Sequence, residues 1–377
     1  MEPMKRKSPQ EQEEGTQPAT PAAYAHVDTS EGRIRYTVGG SGPPLILLHG
    51  IARSLDDWTE TRTELEPRFT VYAIDLPGFG GSDRRTAPVD LIGFAHSVLA
   101  FLDALDVRDQ VRIVGNSLGG AIALQTVALA PERFAALVLV DSAGFGSEVA
   151  AGLRALALPG VWRLLLRPSR RLAELQVRGI FHDPAMVTEQ RIDLAYELAS
   201  RAGAAEAMLE TARSLGDIRG VGPAWRKQLL DEVRELDIPV LLLWGENDRV
   251  LPVRHLDAAR EVFPEARTHL FPSTGHMPQI ERPAEFGEVV AAFFDEVGRV
   301  EPPERLTAMR RLRGWLGRAA HVARATADQA PTASEPAGPE PAVRVPAVPV
   351  PAVPDGPLPV RDVAGSPRRR RRRAGEG

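Results

Sequence analysis

The chain has 377 residues, 43% of them hydrophobic, with 46 basic against 50 acidic side chains and no cysteine. Such a chain buries one large core or two smaller ones, and the lack of cysteine excludes disulfides, thiolate metal sites and a cysteine nucleophile. Charge is unevenly spread: residues 301–377 hold 14 Arg and Lys against 8 Asp and Glu, whereas residues 24–300 carry a net charge of −9. The longest apolar stretch, Val149 to Leu166, is interrupted by Arg154, Pro159 and Arg163 and cannot span a bilayer; a cytoplasmic protein is expected.

Residues 1–23 are polar and lack the apolar run of a signal peptide, so they are read as a disordered lead-in. The first predicted elements, near Tyr24 to Val38 and divided by Glu31-Gly32, form a hairpin. Further strands are expected at Leu45–Leu48, Thr70–Ile74, Val111–Val114, Leu137–Val140, Val240–Trp244 and Thr268–Phe271, with helices at Leu91–Leu105, Leu118–Leu129, Val253–Val262 and Glu285–Val297. This alternation predicts an α/β fold, a mostly parallel sheet flanked by helices on both faces, built from residues 24–144 and 236–300. Residues 145–235 lose the strand pattern and read as an inserted helical lid, with one helix expected to start at Asp183-Pro184 on an aspartate cap and a first-turn proline. Residues 301–330 predict a basic amphipathic helix, with Leu306, Met309, Leu312, Leu316 and Ala319 on one face. Residues 331–377 follow as a proline-rich linker and a disordered tail ending in Arg368 to Arg373. Weak contact of this basic tail with anionic lipid or nucleic acid is the partner expected there.

Val111 to Gln125 reads VRIVGNSLGGAIALQ. A β-branched run breaks at Gly115-Asn116-Ser117-Leu118-Gly119 and an Ala- and Leu-rich stretch of helical length follows, which predicts strand, tight turn, helix. A Gly-x-Ser-x-Gly turn at that junction strains the serine, lets strand and helix approach closely, and exposes the hydroxyl at the carboxyl edge of the sheet.

A serine hydroxyl is a poor nucleophile near neutral pH until a base takes its proton. Of the eight histidines, His276 is best placed, in a turn-rich loop (Pro272 to Pro278) directly after the last predicted strand. The imidazole in turn needs a carboxylate to fix its tautomer and stabilise its developing charge. Asp248, at the end of the strand Val240–Trp244, is favoured because its loop is long enough to reach the histidine; Glu246 and Asp141 compete for the role. Oxyanion donors that cost no reorganisation are backbone amides. Leu118 N–H follows the serine directly, and Ile51, with Ala52 as its neighbour, supplies a second from the turn after Leu45–Leu48. His49 in that turn is expected to be structural. The apolar stretch with Leu153, Leu156, Leu158, Trp162, Leu164 and Leu165 predicts an acyl or aromatic small-molecule substrate, which Asn116, Ala52, Trp162 and Met277 are expected to contact.

With His49-Gly50, Asp75 to Ser82, Gly115 to Gly120, Trp244 to Asp248 and Gly275 to Pro283 in this order, residues 24–300 resemble a lidded α/β-hydrolase. The resemblance implies Ser117 as nucleophile, Asp248 as acid, His276 as base, Ile51 and Leu118 as oxyanion donors, and no metal or organic cofactor. It also implies that Asp75 to Ser82 is a scaffold turn. Asn116 and the stretch Val138 to Gly144 are similar to hydrolases that cut carbon–carbon bonds in aromatic ring-cleavage products. Those enzymes usually carry a tryptophan after the catalytic histidine, where this chain has Met277, so a carboxylesterase is the expected class. Acyl transfer, cofactor-free perhydrolysis and an inert binding module recruited by the basic tail are the rival readings.

Overall fold

A computed structural model describes residues 23–299, apart from positions 86, 88, 109, 159 and 161–165. The expected lead-in up to residue 22, the segments 301–330 and 331–377, and Trp162 lie outside the described residues.

The strands are β1 (Ala25–Thr29), β2 (Gly32–Gly39), β3 (Pro44–Leu48), β4 (Thr70–Ile74), β5 (Val111–Asn116), β6 (Phe134–Val140), β7 (Val240–Gly245) and β8 (Arg267–Phe271), apolar throughout in β3, β6 and most of β7 and mixed toward the sheet edges in β1, β2 and β8. They make one sheet in the order β1-β2-β4-β3-β5-β6-β7-β8. The β1–β2 hairpin and the β2–β4 pair are antiparallel; all other pairs are parallel. Among the described residues the helices of seven or more residues are α1 (Thr59–Leu65), α2 (Leu91–Ala104), α3 (Leu118–Leu129), α4 (Arg170–Ile180), α5 (Glu189–Ser200), α6 (Ala204–Leu215), α7 (Pro223–Val233), α8 (Arg254–Val262) and α9 (Pro283–Arg299).

Because strand side chains alternate between faces, β3, β5, β6 and β7 feed two separate cores. Ile46, Ile113, Leu139 and Leu242 pack with Phe94 and Phe101 of α2 and Ile122 of α3. Their neighbours Leu45, Val114, Val138 and Leu243 pack on the other face with Leu65 of α1 and Phe286 and Phe294 of α9. Each such side chain contributes about 1.5–3 kcal/mol on burial. A one-residue slip would move every one of them to the wrong layer, so the register, and with it the positions of the strand ends, is fixed. The loops that leave β3, β5, β6, β7 and β8 emerge at the carboxyl edge, where parallel sheets build sites.

Between β6 and β7 lies a helical insertion containing a short turn at Ala151–Ala155 and α4 to α7. Ala173 and Val177 of α4 and Ile192 and Ala195 of α5 pack against Met277 and Ile280 from the segment after β8. Two details depart from the sequence expectation. Asp183 does cap a turn, accepting from Ala185 N at 2.8 Å, but that turn spans only Pro184–Met186, and Val187 leaves helical geometry at φ −85°, ψ 72°. The helix proper starts at Glu189, capped by the Thr188 hydroxyl. The insertion also holds a two-stranded ribbon, Gly216–Asp217 with Gly220–Val221, whose close approach requires glycine: a Cβ on Gly216 would lie 2.3 Å from Gly220 O. Among the described residues no helix is long and apolar enough to cross a membrane.

Candidate active site

Ser117 sits between β5 and α3 at φ 56°, ψ −116°, a conformation that costs a non-glycine residue roughly 1–3 kcal/mol. The surroundings enforce it. Ser117 N donates to Val140 O at 2.9 Å, and Ser117 O accepts from Gly120 N at 3.1 Å and Ala143 N at 3.0 Å. No side chain fits where strand and helix meet: a Cβ on Gly115 would lie 2.2 Å from Gly119 O, and one on Gly119 would lie 2.3 Å from Leu48 O. Ser117 itself is 6% exposed and its residue borders a cavity.

His276 lies in the loop after β8, with its amide donating to Ile180 O at 2.8 Å and its carbonyl accepting from Asn116 Nδ2 at 3.2 Å. Its Nδ1 is 2.7 Å from Asp248 Oδ2. The other Asp248 oxygen accepts from Val250 N at 2.7 Å and Leu251 N at 3.0 Å, so three donors surround this buried carboxylate and fix its plane. A carboxylate placed on Nδ1 leaves Nε2 as the free nitrogen of the ring. Of the two competing acids, Glu246 is exposed and accepts from Ser273 N at 3.2 Å, away from the imidazole. Asp141 directly follows β6, is fully buried, and accepts from Gly245 N at 2.9 Å. Carboxylate and imidazole atoms of Asp141, Asp248 and His276 gather within 4.8 Å of one another. This is the cluster in which a cation could be sought; its Asp248 oxygens and one Asp141 oxygen are already engaged by backbone amides and imidazole. Burial, then the neighbouring Asp248 charge, pushes the Asp141 carboxyl well above the usual carboxylate range.

The loop after β3 passes beside the serine: a Cβ on Gly50 would stand 3.2 Å from Ser117 Cβ. Leu118 is the first residue of α3, so its amide is among those an α-helix leaves without an intrahelical acceptor. Ile51, Ser117 and Leu118 together line a small pocket of about 80 Å³. Ala52 holds φ 56°, turning the chain at this point. His49 braces the loop from below, with Nδ1 2.7 Å from Gly50 O and Nε2 accepting from Leu76 N at 2.9 Å. Its burial lowers its pKa, so it serves as a neutral acceptor.

Two acidic residues hold this edge together beyond what the sequence indicated. Asp75, fully buried, accepts from Leu55 N at 2.8 Å and Gly81 N at 2.7 Å and pairs with Arg35, tying the loop after β3 to the loop after β4. Glu281 accepts from Gly275 N at 2.7 Å, His182 N at 3.0 Å and Asp183 N at 3.1 Å, which joins the His276 loop to the end of α4. Neither bond set is readable from spacing, because the partners come from distant segments; only the acids' place within the quoted turns marked them.

A cavity of about 630 Å³ opens on the residues Ser117 and His276. Asn116, Ala52, Ile51 and Met277 also line it. Met277 is otherwise packed, 1% exposed, in the cluster that seats α4 and α5. The insertion contributes Leu153, Leu156, Leu172 and Met208 to the wall, and the loop after β4 contributes Phe79. Asn116 spends its Nδ2 on Val140 O and His276 O, while its Oδ1 is buried without a donor.

Known proteins share this architecture. The family described as alpha/beta hydrolase fold matches residues 43–283. An uncharacterized protein of Mycobacterium tuberculosis is 33% identical over 289 residues, 72% of this chain and 80% of its own length. The 2-hydroxymuconate semialdehyde hydrolase of Pseudomonas sp. strain CF600 is 31% identical over 276 residues, 68% of this chain and 88% of that protein. The crystal structure of a membrane phospholipase A superposes with a TM-score of 0.61 at 28% identity, covering 74% of this chain and 87% of that one. The matched span encloses the loop after β3, the Ser117 turn, the helical insertion and the loops carrying Asp248 and His276, and the chain belongs to the α/β-hydrolase family.

Proposed function

We propose that the protein is a serine hydrolase that cleaves a carboxylic ester or similar carbonyl substrate through an acyl-enzyme. The observation that carries this reading is the His276 Nδ1 to Asp248 Oδ2 hydrogen bond of 2.7 Å, with His276 and the strained Ser117 lining one cavity. His276 Nε2 takes the Ser117 proton, the alkoxide attacks the carbonyl carbon, and the amides of Ile51 and Leu118 receive the oxyanion. The imidazolium, steadied by Asp248, protonates the leaving alcohol. Water, deprotonated by the same nitrogen, then releases the acid and restores the serine. The helical insertion acts as a lid, and its apolar wall favours an acyl or aromatic group of moderate size over a charged one.

Cleavage of a carbon–carbon bond is a second reading, favoured by the likeness to the semialdehyde hydrolase. Turnover of p-nitrophenyl esters of graded acyl length beside one ring-cleavage dienoate separates the two. Ester hydrolysis lost in Ser117→Ala is the expected result. Faster turnover of the dienoate than of every ester would favour the second reading, and inertness toward both would sink the hydrolase assignment.

A further inference from the structure

Asp141, a competitor for the acid role on sequence grounds, is left without a part in the relay just described, yet it is in the relay's immediate company. Its backbone is held at φ 43°, its amide donates to Leu243 O at 2.9 Å, and its side chain is wholly buried at the end of β6. Oδ1 accepts from Gly245 N at 2.9 Å. Oδ2 has no donor at all, although carboxylate and imidazole atoms of Asp248 and His276 lie within 4.8 Å.

Two ionised carboxylates cannot share such a site without a strong penalty, so one of them takes a proton. Which one follows from their donors. Asp248 is met by two backbone amides and the imidazole, all of which favour its charged form, whereas Asp141 has one amide. Glu281 acts on Asp141 as another negative charge, and His276 stands in the same cluster, within 4.8 Å. A proton on Asp141 Oδ2 also turns the orphaned atom into a donor, and the neighbouring carboxylate of Asp248 is there to accept it.

We propose that Asp141 is a positioning residue for the relay: a neutral carboxylic acid whose hydroxyl donates to Asp248, so that the buried pair carries a single negative charge. The catalytic consequence rests on the hydrolase reading above; the location of the proton does not. With the Asp141 hydroxyl donating to it, Asp248 is held in place as the partner of His276 Nδ1.

Infrared difference spectroscopy of the full chain tests the proton directly. Near neutral pH the wild type should show the C=O stretch of a protonated carboxylic acid that Asp141→Asn lacks; a wild type without that band, or a band unchanged in the variant, overturns the proposal whether or not the protein proves to be an esterase. On ester substrates, Asp141→Asn should keep kcat/KM within about twofold, because its amide nitrogen donates to Asp248 as the acid does. Asp141→Leu, which has no donor, should move the acid limb of the pH profile toward higher pH, lowering kcat/KM about tenfold on the acid side for a shift of one unit. An Asn variant that behaves like the Leu variant contradicts the donor role.

Discussion

Among individual residues, the relay depends on a few atoms whose partners are fixed by the backbone around them. Asp248 is locked by Val250 N and Leu251 N and so presents one oxygen to His276. Asp248→Asn keeps the shape but reverses the preferred tautomer, and a fall in kcat of about 10⁴-fold is expected, measured on the best ester at saturating concentration; a loss under tenfold would mean that another carboxylate holds the imidazole. The elevated Asp141 carboxyl adds a stability signature. Its ordinary value is 3.8, so above that pH the unfolded chain releases a proton that the fold retains. The stabilisation from this group is complete below that pH and declines as pH rises toward the folded-state value. The urea midpoint of the wild type should therefore fall more steeply between weakly acidic and neutral pH than that of Asp141→Asn. Parallel curves would show that Asp141 ionises normally in the fold.

At the scale of elements, the central strands and the Ser117 turn were readable because β3, β5, β6 and β7 are short apolar runs that end at polar or glycine-bearing loops, the pattern of a sheet covered on both faces. Leu118–Leu129 was readable for the same reason: after Gly119 and Gly120 nothing breaks it. Helix α1 was not, because Thr59–Leu65 has only Leu65 as an apolar anchor and forms by docking on α9. The choice among Asp248, Asp141 and Glu246 was not settled by composition either. All three stand at the carboxyl ends of neighbouring strands, and only the path of the loop after β7 places Asp248 on the imidazole while Glu246 turns out to Ser273. Gly119→Ala tests the packing at the elbow: the added methyl meets the Leu48 carbonyl at 2.3 Å, and a destabilisation of about 1–3 kcal/mol with loss of activity is expected by denaturant melting. Met208→Trp tests the wall contributed by the insertion. Filling the cavity should lower kcat/KM for long-chain esters while sparing acetate esters, and equal loss on both would place the acyl group elsewhere.

At the scale of the whole molecule, an acidic body of residues 24–300 bears the fold and a basic segment follows it in sequence. Every residue assigned to the chemistry falls within the family match of 43–283. Removal of residues 301–377 should therefore leave turnover of a short soluble ester nearly unchanged, and a large loss would assign part of that segment to the folded site. Our further proposal for the segment is weak contact with anionic lipid or nucleic acid, read by co-sedimentation of the full chain and the truncated chain with anionic vesicles at low salt. The central claim is that the Ser117 hydroxyl is the nucleophile, and its most direct test is mass spectrometry of the protein after reaction with a fluorophosphonate. One adduct is expected, on the peptide containing Ser117, absent in Ser117→Ala and strongly slowed in His276→Ala; an adduct on another residue, or none on folded wild-type protein, would mean that Ser117 is not the nucleophile.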